Sequence, residues 1–441
     1  MRILHTSDWH LGRTFHGRVL DDAHATFADH LVELVEAESV DAVVIAGDVY
    51  DRAIPPTDSV RLLNDTLNRL TDRTQVVLAP GNHDSAQRLG FGSALFRPSL
   101  AVRAQVAEVD QPVIVPDPDG GDGLLVYALP YLDPDATRGV LPTLLSERTG
   151  EVWADPEDSE EPAAEEPAGP PQPARLARSH EAVVSGALRL VGQDLARRRA
   201  ASRTRVPVMV MAHAFVVGGQ ACEDSERDIR VGGVDSVPSE VFETLGGSAV
   251  ADSSGGLDYV ALGHLHRPQE IHLPQRPSAG SRTSVRPRLV YSGSPLPFSF
   301  SEAPWPKSSV LVDLTAEGVT RLERIPTPVA HRIETVTGTM EELEGPAFDY
   351  AVGAWVRAIV RGPLPLGAPA RLRQRFGEVL AIARQDDGQA PRQAASVTRA
   401  ADPLEVAHEF LHAAAQSEPT AAEQLVLTQA YEAVLAARRS A

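Results

Sequence analysis

The sequence predicts an α/β protein in which short buried strands alternate with helices in layers. Three observations favour this fold class: apolar β-type runs alternate with helical patterns over the first 100 residues, further strand-like runs follow after residue 200, and polar clusters come directly after strands. The chain has 441 residues, of which 43% are hydrophobic and 23% charged, as is ordinary for a globular protein. This length allows two or three domains of about 100–200 residues each.

Two apolar runs in the first 100 residues predict buried strands. Residues 41–46 and 75–79 are too short and too rich in β-branched residues for buried helices. Between them, from Asp58 to Leu70, apolar residues recur at helical spacing, namely Val60, Leu63, Leu67 and Leu70. Asp58 is the predicted N-cap, because its carboxylate can accept the unpaired backbone N–H groups of a first helical turn.

Residues 144–178 predict a disordered acidic insertion. Six prolines between residues 156 and 173 alternate with Glu and Ala, so this segment can bury little apolar surface. Residues 151–166 carry eight acids and no Lys or Arg, whereas residues 175–205 carry eight arginines against two acids. The net charge of the chain therefore does not by itself exclude a nucleic-acid partner.

The second half of the chain predicts one long helix and three more buried strands. Residues 179–201 have a helical pattern, and the strand-like apolar runs lie at 207–212, 257–262 and 288–291. Pro326 and Pro328 mark a boundary between a main domain, residues 1–325, and a small α+β accessory domain, residues 326–400. Residues 401–441 predict two C-terminal helices, whose apolar stripes either dock on a partner or pack on the chain's own domains.

Composition excludes several classes of protein. The net charge of −19 argues against bulk attraction to an anionic membrane or to DNA. The single cysteine, Cys222, excludes an intrachain disulfide framework and fits a reducing cytosol. Because no apolar run approaches the roughly 20 residues of a membrane span and the N-terminus lacks a signal-peptide core, we expect a cytoplasmic protein.

Five polar clusters follow predicted strands, and we expect their side chains to meet. The carboxyl ends of parallel strands lie at one edge of a sheet, where ligand sites form. The candidate donors are two aspartates, one asparagine and four histidines: Asp8, His10, Asp48, Asn82, His213, His264 and His266. Carboxylate, amide and imidazole donors without a thiolate suit Mn²⁺ better than a structural zinc. Seven donors are too many for one such ion but suit two.

Each of these residues taken alone has a simpler structural interpretation. A lone Asp8 or Asp48 is most often a helix cap or turn former, the Gly81-Asn82 pair is a turn signal, and a lone His213 is typical of a protein core. Their joint order along the chain is what favours a dinuclear metal site.

In chain order the clusters read Asp-x-His, Gly-Asp-x-x-Asp, Gly-Asn-His-Asp, a lone His after a strand, and Gly-His-x-His. This order resembles the calcineurin-like metallophosphoesterases. The resemblance implies a layered α-β-β-α sandwich, with a small α+β capping domain and C-terminal helices. Within that family the chain looks like the bacterial SbcD-type nucleases, in the stretches His5–Gly12, Arg227–Ile229, Ala261–His266 and Tyr291–Pro295.

The resemblance also implies a division of the donors between two metal ions. Asp48 would bridge the two ions, with Asp8, His10 and His266 completing one site and Asn82, His213 and His264 the other. His83 would act near the leaving group, as a proton donor or a charge-stabilising group. The Asp51 carboxylate would keep His83 protonated and aimed, and Asp84 would anchor the site from behind.

The function implied by this resemblance is DNA processing. The resemblance implies a Mn²⁺-dependent 3′→5′ exonuclease and single-strand endonuclease that acts on DNA ends, hairpins and blocked ends. A homodimer would form through the helix at 58–70 and the segment after Gly81–Asp84, and an SbcC-type ATPase would complete a nucleoid-associated heterotetramer. Arg13 and Arg267, which flank the first and last clusters, are the candidate contacts to double-stranded or single-stranded DNA.

Two other functions remain open from the sequence. One is a metallophosphoesterase that hydrolyses a nucleotide or small phosphodiester, against which the long segment after Pro328 argues. The other is a non-enzymatic DNA-end scaffold with a vestigial site, against which the full set of donors argues.

Overall fold

The computed structural model describes residues 1–117, 120–149, 175–202, 204–222, 226, 236–247, 256–273, 286–385 and 420. Most of the predicted acidic insertion, the Arg227–Ile229 stretch and, apart from Thr420, the predicted C-terminal helices lie outside these residues. The strands are β1 (Arg2–Thr6), β2 (Thr14–Phe15), β3 (Arg18–Val19), β4 (Ala42–Ala46), β5 (Gln75–Ala79), β6 (Leu100–Val102), β7 (Val113–Pro116), β8 (Asp122–Ala128), β9 (Val208–His213), β10 (Phe215–Val216), β11 (Ser236–Val237), β12 (Tyr259–Gly263), β13 (Gln269–Ile271), β14 (Arg288–Tyr291), β15 (Ser308–Thr315), β16 (Gly318–Pro326), β17 (Ile333–Gly338), β18 (Trp355–Arg361) and β19 (Glu378–Gln385). The helices are α1 (Asp21–Ala37), α2 (Thr57–Thr71), α3 (Ala86–Leu89), α4 (Pro134–Thr137), α5 (Val140–Thr149), α6 (His180–Ala201), α7 (Glu240–Glu243), α8 (Met340–Glu344) and α9 (Ala368–Phe376).

Two large mixed sheets form the centre of the described structure. The first has the strand order β16-β15-β1-β4-β5-β6, in which β1, β4, β5 and β6 are parallel. The second has the order β13-β14-β12-β9-β8-β7, in which β8, β9, β12 and β14 are parallel. Helical crossovers connect β1 to β4, β4 to β5 and β8 to β9, as is usual for neighbouring parallel strands. Within each sheet, the carboxyl ends of the parallel strands therefore lie at one edge.

The two sheets pack face to face, and helices cover their outer faces. Alternate residues of β1 show the arrangement, because successive side chains of a strand point to opposite faces. Ile3 packs in the core between the sheets, together with Met211 of the second sheet. Leu4 instead packs outwards against Phe27 of α1. On the far side, Tyr127 and other side chains of the second sheet pack against α6. This order of layers confirms the predicted α-β-β-α sandwich.

Helix α2 begins one residue before the predicted helix and ends one residue after it, but its predicted cap is wrong. The N-cap position is Pro56, which makes no side-chain capping bond. Asp58 lies in the first turn and its carboxylate accepts a hydrogen bond from Arg61 at 2.8 Å. An acid in the first turn still opposes the positive end of the helix dipole. Leu63 is buried as predicted, whereas Val60 is 43% exposed.

The predicted start of the disordered insertion, at residue 144, is also wrong. Helix α5 continues to Thr149, because Leu141 and Leu145 on its inner face join the core beneath α6. The prediction from residue 150 to residue 174 falls outside the described residues. Helix α6 is confirmed at the predicted position, and the Ser179 side chain caps it by accepting a bond from the Ala182 amide.

A third sheet, with the order β17-β18-β19, follows the two large ones. Helices α8 and α9 pack on it and enclose a separate core that includes Leu343, Val356 and Phe376. Met1–Val360 and Leu364–Ala383 together form one compact unit. The change of sheet after Pro326 coincides with the predicted boundary, and the division into domains stays a prediction. Among the described helices, none has both the length and the apolar character needed to cross a bilayer.

Candidate metal centre

All five predicted polar clusters follow strands of the two central sheets. Asp8 and His10 come after β1, Asp48 after β4, and Asn82 after β5, all in the first sheet. In the second sheet, His213 is the last residue of β9, and His264 and His266 follow β12. The prediction of a single sheet edge is therefore corrected: the donors follow strands of two sheets, and within each sheet the parallel strands bring their carboxyl ends to one edge.

The backbone at this edge is strained in the places where it presents donors. Asp8, His10, Asp48 and His264 all have positive φ angles, of 55°, 47°, 50° and 102°. Non-glycine residues rarely adopt such angles, and they persist where the surrounding structure over-determines them. Four of the seven predicted donors therefore sit in conformations that the fold imposes.

Two glycines allow the segments to approach each other closely. A Cβ atom on Gly81 would lie 2.2 Å from the Asp48 Oδ1 atom, and one on Gly263 would lie 1.9 Å from the backbone oxygen of Ala46. Neither distance is tolerated by real Cβ atoms, so any side chain at these positions would push the strand ends apart. Glycine is therefore needed at both positions, because the segments approach each other closely there.

One group of donors consists of Asp8, His10 and His266. The Nε2 atoms of His10 and His266 are 3.0 Å apart, and the His10 Nε2 atom is 3.6 Å from the Asp48 carboxylate. Donor atoms of Asp8, His10 and His266 all lie within 4.8 Å of one another. Two imidazole nitrogens at such a distance need a shared proton or a cation between their lone pairs.

A second group consists of Asn82, His213 and His264, and it also reaches Asp48. The His213 Nε2 atom is 2.9 Å from the Asn82 Oδ1 atom and 3.4 Å from the Asp48 Oδ2 atom. The His264 Nδ1 atom is 3.3 Å from the same Asn82 oxygen. Asp48 thus lies within reach of donors from both groups, as the resemblance implied for a bridging carboxylate.

Buried charges shift the pKa values of these groups in opposite directions. Burial raises the pKa of Asp48, but the positive charge of His213 and its hydrogen bond to the carboxylate outweigh it and bring the pKa well below its usual range. Burial lowers the pKa of His213, but Asp48 and Asp8 outweigh it and raise the pKa to about 9. Burial, and to a smaller extent the positive charge of His213, lowers the pKa of His264 to about 3.

The donor chemistry fits divalent cations. Burial also brings the pKa of His10 well below its ordinary value, so this imidazole and that of His264 are neutral and offer lone pairs. Oxygen and imidazole donors clustered around buried carboxylates match the preferences of Mn²⁺ and similar ions.

Hydrogen bonds behind the donors hold them in place. The His213 Nδ1 atom is 2.9 Å from the backbone oxygen of Ala46, so an N–H there leaves Nε2 for the centre. The His266 Nδ1 atom is likewise 3.2 Å from the Glu302 carboxylate. Ser7 donates to the Asp8 carboxylate, and the His264 amide donates to it at 3.0 Å. Such contacts orient metal ligands and select the tautomer of a ligating histidine.

His83 lies beside the cluster, but its predicted contact with Asp51 takes a different form. The His83 Nδ1 atom is 2.7 Å from the backbone oxygen of Asp51. The Asp51 carboxylate faces His10 and Arg13 instead, at 3.7 Å and 3.8 Å. The prediction that this carboxylate holds His83 is therefore corrected, because the turn presents the carbonyl of Asp51 to the ring.

Asp84 has the geometry predicted for an anchor. Its carboxylate accepts backbone N–H bonds from Val49 at 3.0 Å, Tyr50 at 2.9 Å and Gly81 at 2.9 Å. These bonds tie the loop after β4 to the loop after β5. Burial and the negative charge of Asp48 raise the pKa of Asp84 to about 7.

The two predicted DNA contacts, Arg13 and Arg267, both flank the centre. The Arg13 guanidinium lies 4.9 Å from the ring centroid of Phe298. The Arg267 guanidinium stacks on Trp305, 3.5 Å from the ring centroid, and donates to the Gln220 side chain. Both side chains are therefore already held in place by aromatic rings.

Sequence reasoning missed Glu302 and Lys307, which lie directly behind His266. Both are buried, with 0% and 3% exposure. They belong to a proline-containing loop without a strand or helix pattern, and only the fold brings them to the cluster. One feature of the sequence could have pointed to this loop, because Lys307 is the single lysine of the chain.

The chain is similar to known proteins in sequence and in fold. The sequence model of the calcineurin-like phosphoesterase family matches residues 1–217. The SbcD component of the SbcCD nuclease of Bacillus subtilis (strain 168) is 35% identical over 315 residues, which cover 71% of this chain and 66% of that protein, slightly under two thirds of its length. The SbcD component of the SbcCD nuclease of Rhodobacter capsulatus is 34% identical over 340 residues, which cover 75% of this chain and 70% of that protein. Among solved structures, a dimetal phosphatase from Danio rerio matches with a TM-score of 0.40 at 12% identity, covering 74% of this chain and 99% of that chain.

Proposed function

This chain belongs to the SbcD family of calcineurin-like phosphoesterases, and we propose on that premise that it is a DNA nuclease. It is a metal-dependent phosphodiesterase of the hydrolase class. The proposal adds the substrate and the mode of action: a Mn²⁺-dependent 3′→5′ exonuclease and single-strand endonuclease that processes DNA ends, hairpins and blocked ends. Such a substrate would place its activity at the nucleoid, in the cytoplasm.

The observation that carries the proposal is that donors of both groups lie close to the Asp48 carboxylate. This carboxylate lies 3.6 Å from His10 and 3.4 Å from His213, which belong to different sheets and different donor groups. We propose Asp48 as the bridging ligand between two ions. The remaining ligands would be Asp8, His10 and His266 for one ion, and Asn82, His213 and His264 for the other.

Two bound ions would supply Lewis-acid stabilisation of the phosphoryl oxygens and a water that is nucleophilic at neutral pH. The chain's own contribution begins with His83. Because its Nδ1–H donates to the Asp51 carbonyl at 2.7 Å, the proton for the departing 3′ oxygen would come from Nε2 of the doubly protonated, cationic ring. The His83 backbone N–H donates to the Asp48 Oδ1 atom at 2.9 Å, which fixes this loop to the centre.

Arg13 and Arg267 are the proposed phosphate contacts beside the centre. Arg13 is also 3.8 Å from the Asp51 carboxylate, whose negative charge partly offsets that of the guanidinium. The Arg267 guanidinium lies over the ring of Trp305. A planar guanidinium can donate to two phosphate oxygens at once, which suits a role in positioning a DNA backbone.

The proposed homodimer surface lies along α2. A groove of about 780 Å³ runs between α2 and residues 85–102. Apolar side chains stand exposed around it: Ile54 is 67% exposed, Phe91 83% and Leu95 89%. The resemblance to SbcD-type nucleases implies that a second copy of this chain packs here, and an exposed apolar patch of this kind is typical of a protein interface.

The proposed ATPase partner rests on the names of the relatives, which are components of a two-component nuclease. Docking through the C-terminal helices of residues 401–441 lies outside the described residues. We propose a heterotetramer of two copies of this chain and two SbcC-type ATPase chains.

The test is a cleavage assay with Mn²⁺ on a linear DNA duplex and on bis-p-nitrophenyl phosphate, with and without the co-purified ATPase and ATP. We expect the duplex to be degraded in a Mn²⁺-dependent way. Cleavage of the small phosphodiester with no cleavage of DNA, even with the ATPase present, would instead support the small-molecule alternative. The control is His272→Ala, which changes an exposed histidine outside the cluster.

A further inference from the structure

Lys307 is an exceptional residue in this chain. The sequence contains 40 arginines and this one lysine. Lysine is among the side chains that are almost never fully buried unless they are paired, yet Lys307 is only 3% exposed. A chain that uses arginine for every other basic side chain therefore places its one ammonium group in the interior, beside the candidate metal centre.

The surroundings of Lys307 match the chemistry of an ammonium group. Its Nζ atom donates to the backbone oxygen of His266 at 3.1 Å, to the Ser294 hydroxyl at 2.9 Å and to the Glu302 carboxylate. An ammonium group has three N–H donors, and these are three acceptors. A guanidinium has five donors in a rigid planar fork, so arginine would leave donors unpaired in this buried place.

Glu302 links this ammonium group to the ring of His266. Its Oε1 atom is 3.2 Å from the His266 Nδ1 atom and accepts the Phe298 amide at 3.2 Å. Its Oε2 atom receives the bond from Lys307 and one from Ser294 at 3.3 Å. The ion pair therefore holds His266 at two points, the ring through Glu302 and the backbone oxygen through Lys307.

We propose that Glu302 and Lys307 are positioning residues that present His266 to the metal centre. Glu302 accepts the Nδ1–H of His266, so the lone pair stays on Nε2, the atom that is 3.0 Å from the His10 Nε2 atom. Lys307 fixes the backbone oxygen of His266 and hydrogen-bonds the other oxygen of the Glu302 carboxylate. This inference rests on the proposed function in one respect, the role of His266 as a metal ligand.

The experiment separates positioning from folding by the choice of variants. Removing one partner of a buried ion pair leaves an unpaired charge and is strongly destabilising, whereas replacing both partners by apolar residues of similar size is often neutral. The test variant is therefore the double substitution Glu302→Leu/Lys307→Met. The matched control is Asp135→Leu/Arg178→Met, which removes an exposed ion pair elsewhere in the chain.

Two measurements are made on each protein. Imidazole ¹⁵N NMR spectra of the metal-free protein, with the His266 signals assigned from a His266→Gln variant, report the tautomer of His266. Titration calorimetry with MnCl₂ reports the number and affinity of bound ions. We expect Nδ1–H in the wild type and a mixture of tautomers in the double variant. Mn²⁺ affinity at one of two sites should fall by about 10–100-fold, and the control should match the wild type.

A third variant tests the choice of lysine. Lys307→Arg keeps the charge, and we expect it to weaken Mn²⁺ binding as the double variant does, because the fork does not fit the three acceptors. Two bound Mn²⁺ ions in the wild type, together with an unchanged tautomer and affinity in the double variant, would overturn the positioning role alone. A wild type that binds no Mn²⁺ would overturn the proposed function instead.

Discussion

Replacing His83 by alanine separates its proposed role at the leaving group from metal binding. The substitution removes the hydrogen bond from Nδ1 to the Asp51 carbonyl, worth about 0.5–1.5 kcal/mol of folding stability. It keeps the backbone N–H that donates to Asp48 at 2.9 Å, so the metal cluster should retain its geometry. Loss of a general acid lowers the rate by about 10²–10⁴-fold, which corresponds to roughly 3–5 kcal/mol in activation free energy.

The assay measures DNA cleavage with saturating Mn²⁺, and the manganese content per chain is measured on the same preparation. We expect cleavage to fall by at least 100-fold while two ions per chain remain bound. His83→Gln should behave in the same way, because its amide can hydrogen-bond but cannot transfer a proton. A variant that loses bound manganese would refute the reasoning and make His83 a ligand. The surface control His272→Ala should keep full activity.

Three other substitutions test the site and the surface. Asp48→Asn removes the carboxylate shared by the two donor groups. The number of bound manganese ions, measured by calorimetry, should therefore fall to one or none. Two ions bound at wild-type affinity would contradict a bridging role. Gly263→Ala would place a Cβ atom 1.9 Å from the Ala46 oxygen. We therefore expect the free energy of unfolding, measured by chemical denaturation, to fall by about 1–3 kcal/mol. Unchanged stability would mean that the strand ends are further apart. Leu95→Glu puts a charge on a side chain that is 89% exposed in the proposed dimer surface. The fold should be undisturbed, and light scattering should report monomers. Dimers that persist would place the interface elsewhere.

The sequence predicted the sheets and the donor cluster because both depend on short-range patterns. Buried parallel strands read as short apolar runs, and each predicted donor follows such a run directly, as Asp48 follows β4. Within each sheet, the convergence of the segments then follows from the topology of parallel strands. Asp8 and His264 belong to different sheets, so their contact also depends on how the two sheets pack, which the short-range patterns did not predict.

The details that the sequence did not predict depend on local backbone geometry or on distant contacts. Whether Asp51 offers its carboxylate or its carbonyl to His83 is decided by the turn after Asp48, which no pattern encodes. The N-terminus of α2 falls at Pro56 and Thr57, so Asp58 is too late to cap it. Glu302 lies 36 residues from His266 in the sequence, in a loop whose packing only the complete fold determines.

The most direct test of the dinuclear centre is a crystal structure with Mn²⁺ and its anomalous difference map. We expect two manganese peaks roughly 3.5–4 Å apart, with the Asp48 carboxylate between them. One ion should contact Asp8, His10 and His266, and the other Asn82, His213 and His264. A single peak, or a pair of peaks that Asp48 does not touch, would contradict the dinuclear centre and the nuclease mechanism built on it.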